Sequence, residues 1–171
     1  VLRQQFQADR LNQIWVSDVT CFKLGELYLY TCVILDLFSR RVVAHKVSRK
    51  NSTQLITSTF KAAWEQRAPD TGLIFHSDRG GQYISGAFTK LLRNSGVQQS
   101  FSASGRPCDN AVAETFFATF KKEEAYRRTY SSERDYRKSV EQYIEFYNEK
   151  RPHRSLAYKT PAHFEELFGK K

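Results

Sequence analysis

Methionine is absent from the sequence, which begins with Val1. We therefore expect the chain to be a piece of a longer protein, with residues 1–11 as the remnant of a linker. The 171 residues are enough to bury the core of one domain with a helical extension, whereas two independent domains would need more.

Long apolar runs are absent too. No stretch approaches the roughly eighteen consecutive apolar residues that a membrane-spanning helix requires. No charged segment followed by an apolar one opens the chain as a signal peptide would. These absences predict that the protein has no membrane partner and that it resides in the cytoplasm.

The residues of zinc sites and disulfides are few. The cysteines are Cys21, Cys32 and Cys108, without a C-x-x-C pair, and the histidines form no H-x-x-x-H pair. We expect the cysteines to be buried thiols, and we predict no structural zinc.

Acidic residues are outnumbered: 18 Asp and Glu stand against 27 Lys and Arg, giving a formal net charge of +9. Hydrophobic residues make up 40% of the chain, which is too much for a disordered protein. The basic residues are spread along the chain, so the positive field belongs to the folded surface and favours a polyanionic partner. Charge alone leaves open a basic protein that binds no polyanion.

Short β-rich runs alternate with turn signals in the first half of the chain. The first three runs are joined by short turns, which favours antiparallel pairing, and a helix precedes each later run. The predicted strands cover residues 14–22, 27–36, 41–47, 72–76 and 97–101. The predicted helices run from a cap near residue 51 to about 67, from 82 to 94, from about 109 to 128, and from 132 to 150. This order predicts an α/β fold with a five-stranded mixed sheet flanked by helices.

Asp18 stands in the middle of the first predicted strand, with Val16 and Val19 beside it. Burying an unpaired carboxylate there costs free energy or forces the group to protonate. Either a cationic side chain or a metal ion must compensate, and position alone does not choose between them.

Asp78 directly follows an apolar strand and precedes Arg79, Gly80 and Gly81. Ligands of open α/β sheets bind beyond the carboxyl ends of the strands, and glycines let a large substrate approach the backbone. An ordinary aspartate in a strand-to-helix turn remains the alternative.

Glu114 lies on the third predicted helix, which Asp109 or Asn110 would cap. Lys121 is two helical turns further on, so both charged groups project from nearly the same face. Two solvated charges on an exposed helix face are the alternative. Together with Asp18 and Asp78, Glu114 would supply oxygen ligands for two Mg²⁺ or Mn²⁺ ions, and phosphoryl transfer at such a pair needs no nucleophile from the protein.

Three segments of the sequence closely resemble a known family. They are W-V-S-D-V-T, H-S-D-R-G-G-Q-Y and G-R-P-C-D-N-A-V-A-E-T-F-F-A-T-F-K-K-E. They resemble the blocks around the three acidic residues of integrase-like bacterial insertion-sequence transposases, the DDE class related to retroviral integrase cores. Thirty-five residues separate Asp78 from Glu114, which is the spacing of that class. The later Y-N-E-K-R-P-H-R-S-L resembles the family's C-terminal block.

The resemblance implies a ribonuclease-H-like catalytic core at 12–128 and a C-terminal helical extension, packed on the core, at 129–171. It implies that Asp18, Asp78 and Glu114 are catalytic metal ligands and that Lys121 contacts DNA phosphate. Further candidates for DNA contact are Asn110, Arg79, Lys122 and Arg151. For Asn110 a capping role, and for His76, Arg151 and His153 a packing role, are the alternatives.

The resemblance further implies an enzyme that cleaves DNA and transfers its strands, acting on element ends and target DNA in the bacterial cytoplasm at the nucleoid. We expect self-association, because two DNA ends must be paired. In the family, a helix-turn-helix region upstream of the core reads the terminal repeats. The residues before Leu11 are too few to form it, so we expect this chain to lack that region. The alternatives are a catalytically silent, transposase-derived DNA-binding or inhibitory protein, and a nuclease that only hydrolyses RNA–DNA hybrids.

Overall fold

The computed structural model describes residues 8–102 and 110–168. Residues 1–7, which belong to the predicted linker, lie outside the described part. So do residues 103–109, with Cys108 and Asp109, and residues 169–171.

Five strands form one mixed sheet in the order β3-β2-β1-β4-β5. They are β1 (Ile14–Leu24), β2 (Leu27–Asp36), β3 (Val42–Ser48), β4 (Ile74–Ser77) and β5 (Gln98–Phe101). The first three strands pair antiparallel through short turns, whereas β4 and β5 run parallel to β1. Parallel pairing requires crossover connections, and helices supply them. The predicted five-stranded mixed sheet is confirmed.

The helices are α1 (Thr53–Arg67), α2 (Gly86–Asn94), α3 (Ala111–Phe120), α4 (Glu133–Glu149) and α5 (Pro161–Phe168). Serine side chains cap three of them by accepting backbone N–H groups: Ser52 for α1, Ser85 for α2 and Ser132 for α4. The cap at Ser85 explains why the helix predicted from residue 82 begins at Gly86.

The sheet is covered on both faces, as a ribonuclease-H-like fold requires. Neighbouring residues of β1 point to opposite sides, so Trp15 packs with α1 and α2 while Val16 packs with α3 and α4. β2 is buried on both faces along most of its length, which explains its continuous apolar sequence.

The C-terminal segment is tied to the edge of the sheet. The Asn148 amide of α4 accepts from the Val42 N–H at 2.9 Å and donates to the Val42 carbonyl at 3.0 Å. Glu165 of α5 forms ion pairs with Arg67 at 2.7 Å and with Arg41 at 3.2 Å. The division into a core and an extension at residue 129 stays a prediction.

Two expectations from the sequence are wrong. The helix predicted to continue to residue 128 leaves the α conformation after Phe120, and Lys121–Ala125 form a single π turn. Cys32 is buried, but Cys21 is exposed. Cys21 lies on the side of β1 opposite to Phe22, which packs against Tyr136 of α4.

Candidate active site

Asp18 lies on the face of β1 that α3 covers, two residues beyond buried Val16. Its carboxylate is half-buried and accepts the Val19 N–H at 2.8 Å. The pKa of Asp18 is raised to about 6, mainly by burial. The negative charges of Asp78 and Glu114 contribute to this rise, whereas the hydrogen bond from the Val19 N–H and the positive charge of Lys121 oppose it. Asp78, Glu114 and Lys121 therefore all lie near enough to Asp18 for their charges to act on it.

Asp78 is positioned by the parallel pairing of β4 with β1. The last pair of that ladder is Val16 with His76, so Asp18 and Asp78 each lie two residues further along neighbouring strands. The exposed Asp78 carboxylate accepts the Gly80 N–H at 2.9 Å. A Cβ at Gly80 would stand 3.0 Å from that carboxylate oxygen, which explains why glycine occupies this turn.

Glu114 lies in the first turn of α3 and is exposed. The helix is anchored beside Asp18 because Asn110, only 4% exposed, donates from Nδ2 to the Ser17 carbonyl at 3.1 Å. Asn110 makes no side-chain cap hydrogen bond, so the predicted capping role is wrong. Asn110 instead joins α3 to β1, and Glu114 lies four residues, about one helical turn, further along the helix.

Lys121 stands directly after α3, at the start of the π turn, and is half-buried. No Lys, Arg or His nitrogen of the described residues lies within ion-pair distance of Asp18, Asp78 or Glu114. Among the described residues, the three carboxylates thus form no direct ion pair, although the charges of Asp78 and Glu114 act on Asp18. Such a cluster of oxygen donors suits a divalent cation such as Mg²⁺ or Mn²⁺.

The same carboxylates do not form a closed set of ligands. Within residues 8–102 and 110–168, no three His, Cys, Asp or Glu side chains lie together as a metal site. Chemistry and charge therefore fit a metal ion, while the carboxylates would have to draw together to hold it.

Behind Asp18 lies a buried polar network that sequence reasoning missed. Ser17 donates from Oγ to the Val33 carbonyl at 2.9 Å and accepts from the Tyr83 hydroxyl at 2.8 Å. His76 is 1% exposed and hydrogen-bonds through its ring to Ser100 at 3.0 Å, which supports its packing role. The alternation along β1 could have indicated that Ser17 points inward, but nothing local pairs it with Tyr83.

The remaining predicted DNA contacts are scattered. Arg79 is exposed beside Asp78, with its guanidinium 6.0 Å from the centre of the Phe101 ring, and Lys122 is exposed on the π turn. Arg151 forms an ion pair with Glu123 at 2.7 Å, and His153 is buried against Tyr147.

The sheet order and the helices on both faces define a domain of the ribonuclease-H-like fold. Comparison with known proteins agrees. The chain belongs to the integrase core domain family, whose models match residues 8–107 and 95–161. The family resemblance stated from the sequence motifs is confirmed.

Two relatives are bacterial. The chain is 36% identical to the transposase for insertion sequence element IS904 of Lactococcus lactis, over 97% of this chain and 66% of that protein. It is 34% identical to the putative transposase InsK for insertion sequence element IS150 of Escherichia coli, over 96% of this chain and 58% of that protein. The chain therefore spans roughly three fifths of these relatives.

Solved structures show the same fold. The HTLV-2 integrase catalytic core domain in complex with magnesium matches with a TM-score of 0.76 at 16% identity, over 92% of this chain and 99% of that chain. A chain in the structure of the simian T-cell lymphotropic virus intasome in complex with PP2A regulatory subunit B56 gamma matches with a TM-score of 0.78, also at 16% identity, over 92% of this chain and 55% of that one. No helix of the described ranges is long and apolar enough to cross a membrane.

Proposed function

We propose that this chain is the catalytic core of a DNA transposase, which cleaves DNA and joins its strands with the help of divalent metal ions. The observation that carries the proposal is the arrangement of three carboxylates: Asp18 on β1, Asp78 directly after the neighbouring strand β4, and Glu114 on the covering helix α3. The charges of Asp78 and Glu114 contribute to the raised pKa of Asp18. Family membership and the transposase relatives support the same conclusion.

Asp18, Asp78 and Glu114 would hold the metal, as two Mg²⁺ or Mn²⁺ ions. When bound, such ions supply Lewis acidity at the attacking and leaving oxygens of a phosphodiester. The protein itself provides no nucleophile, since the attacking group is water or a DNA 3′-hydroxyl. Asn110 fixes α3 against β1 and thereby sets the position of Glu114 relative to Asp18.

Lys121 supplies a positive charge beside the carboxylates, where a DNA phosphate has to approach them. Arg79 and Lys122, both exposed, extend this positive surface on either side. Phosphate contacts of this kind position DNA without reading its sequence. We therefore propose that sequence choice resides in a part of the protein beyond this chain, and that the active form contains more than one copy.

A second candidate is a transposase-derived protein that binds DNA without cutting it. The absence of a closed group of metal ligands among the described residues favours it. The three carboxylates favour the enzyme, because a protein that only binds DNA gains nothing from negative charges at its DNA surface.

The test is resolution of a branched DNA junction in Mn²⁺, which reverses strand transfer and does not require recognition of element ends. Glu114→Gln is compared with Glu65→Gln, a matched change of an exposed glutamate on α1. We expect rejoined product from the parent and from Glu65→Gln, and none from Glu114→Gln. Cleavage of an RNA–DNA hybrid without any joining would instead indicate a purely hydrolytic nuclease. DNA binding without product from any variant would favour the second candidate.

A further inference from the structure

A cavity of about 320 Å³ lies between α3, the turn that joins β2 to β3, and the segment after α4. Three arginines line it, namely Arg40, Arg151 and Arg154, and none of its lining residues within 8–102 and 110–168 is acidic. None of the three carboxylates of the candidate active site and neither Lys121 nor Lys122 belongs to its lining. The cavity is thus a second, strongly basic site.

Arg40 is held in this cavity at a cost. Its Nη1 atom is buried without a hydrogen-bond partner among the described residues. Its backbone has φ +62°, a left-handed conformation that a residue with a side chain rarely adopts. A buried guanidinium nitrogen without a hydrogen-bond partner is unfavourable unless an acceptor such as an anion satisfies it.

The other walls add donors and orientation. Arg151 is fixed by its ion pair with Glu123 at 2.7 Å, while Arg154 is exposed at the rim. Ala111 and Val112, in the first turn of α3, line the cavity, and this helix has no side-chain cap. The N-terminus of a helix is the positive end of its dipole and leaves N–H groups for an anion.

We propose that this cavity binds a phosphate group of the DNA backbone, at a contact separate from the acidic site. The identity of the ligand as DNA rests on the proposed function. The planar guanidinium groups suit the paired oxygens of a phosphate, and the hydroxyl groups of Thr115 and Ser155 border the same space.

The position of the cavity gives the contact its use. Ala111, Thr115 and Thr119 follow one another at intervals of four residues along α3, so they form one stripe of the helix. Glu114 projects from the neighbouring face of the same helix. A strand held by one phosphate in the cavity therefore has its register fixed relative to the carboxylates.

The test is the salt dependence of DNA binding, measured by fluorescence anisotropy of a labelled duplex in EDTA, without metal or chemistry. Arg40→Gln and Arg154→Gln are compared with Arg93→Gln, which removes an exposed arginine on α2, on the opposite face of the sheet. Loss of one phosphate contact lowers the slope of log K against log salt by about one. We expect that loss in both cavity variants and an unchanged slope for Arg93→Gln.

Arg154 is exposed, so Arg154→Gln stays informative even if Arg40→Gln alters the fold, which circular dichroism would reveal. A parental slope in Arg154→Gln and in a folded Arg40→Gln would overturn the proposal. A second arm measures the melting temperature in inorganic phosphate. If phosphate stabilises the parent but not Arg40→Gln while the DNA slopes stay equal, the cavity takes free phosphate and the DNA contact is wrong.

The two proposals fail separately. If the parent joins no DNA but Arg40→Gln lowers the salt slope of DNA binding, the cavity contact is supported and the transferase proposal is wrong. If the parent joins DNA but every variant has the parental slope, the transferase proposal is supported and the cavity contact is wrong.

Discussion

The two faces of the sheet are built differently. On the face covered by α1 and α2, the rings of Trp15, Phe60, Phe75 and Phe88 pack edge to face in a nearly continuous apolar core. On the face covered by α3 and α4, tyrosines and phenylalanines are mixed among the buried rings. A π turn follows α3 there, and the carboxylates and the basic cavity lie at the border of this face. The face covered by α1 and α2 therefore contributes mainly to stability. The face covered by α3 and α4 has a less regular structure and carries the candidate active site.

The largest expected effect is on activity alone, at the α3 side. Asp78→Asn removes a proposed metal ligand, and we expect strand transfer to fall by on the order of 10⁴-fold. Asp70→Asn, a matched change at an exposed aspartate, should leave the rate unchanged. The measurement is the initial rate of junction resolution in Mn²⁺. Equal rates for the two variants would remove Asp78 from the site.

The second prediction concerns stability at the same border. The pKa of Asp18 is raised from its ordinary 3.8 to about 6, mainly by burial, so the folded state prefers the protonated carboxyl. That preference stabilises the fold below pH 3.8 and is lost as the pH rises through about 6, which leaves a deficit of about 3 kcal/mol at neutral pH.

Asp18→Asn keeps a neutral group at every pH. In EDTA at pH 7.5 we therefore expect the variant to unfold at a higher temperature than the parent, by roughly 2–4 °C per kcal/mol. At pH 4 the difference should nearly vanish. Thermal melts at both pH values measure it, and a gap independent of pH would contradict the prediction. Addition of Mn²⁺ should raise the melting temperature of the parent only.

A matched pair of ring substitutions compares the two faces directly. Phe60→Leu and Phe116→Leu change rings that are 1% and 2% exposed, and each should cost about 1–1.5 kcal/mol of unfolding free energy. Phe116 lies on the helix that carries Glu114, so its variant should also slow strand transfer. Urea unfolding measures the loss of stability. Rates of strand transfer measured well below the melting temperature, where both variants are folded, measure the effect on activity. Equal rates would mean that the α3 face is as tolerant as the other.

The same contrast explains what the sequence could predict. The strands were located to within two residues because their patterns are local. The sequence predicted Asp18 within the first strand and Asp78 directly after the fourth, but only the sheet order makes these strands neighbours. The Asn110 tether depends on a carbonyl 93 residues away and overrides the local preference of asparagine for a helix cap. The π turn has no local sequence signal, and its Glu123 and Glu124 side chains accept hydrogen bonds from α4. The left-handed Arg40 lies in the turn between β2 and β3, where its N–H donates to the Asp36 carbonyl.

The smallest predicted effect tests whether the face covered by α1 and α2 influences the candidate active site on the face covered by α3 and α4. Tyr83, 2% exposed, packs against Phe75 and Phe88, and its hydroxyl donates to Ser17, the residue before Asp18. Tyr83→Phe keeps the ring and removes that hydrogen bond, whose net contribution is about 1 kcal/mol. Ser17 still donates to the Val33 carbonyl, so β1 stays in place. We expect the melting temperature to fall by about 2–4 °C while the rate of strand transfer remains at the parental value. A tenfold slower rate at unchanged Mn²⁺ affinity would show instead that the hydrogen bonds behind Asp18 position its carboxylate. The face covered by α1 and α2 would then contribute to activity as well as to stability.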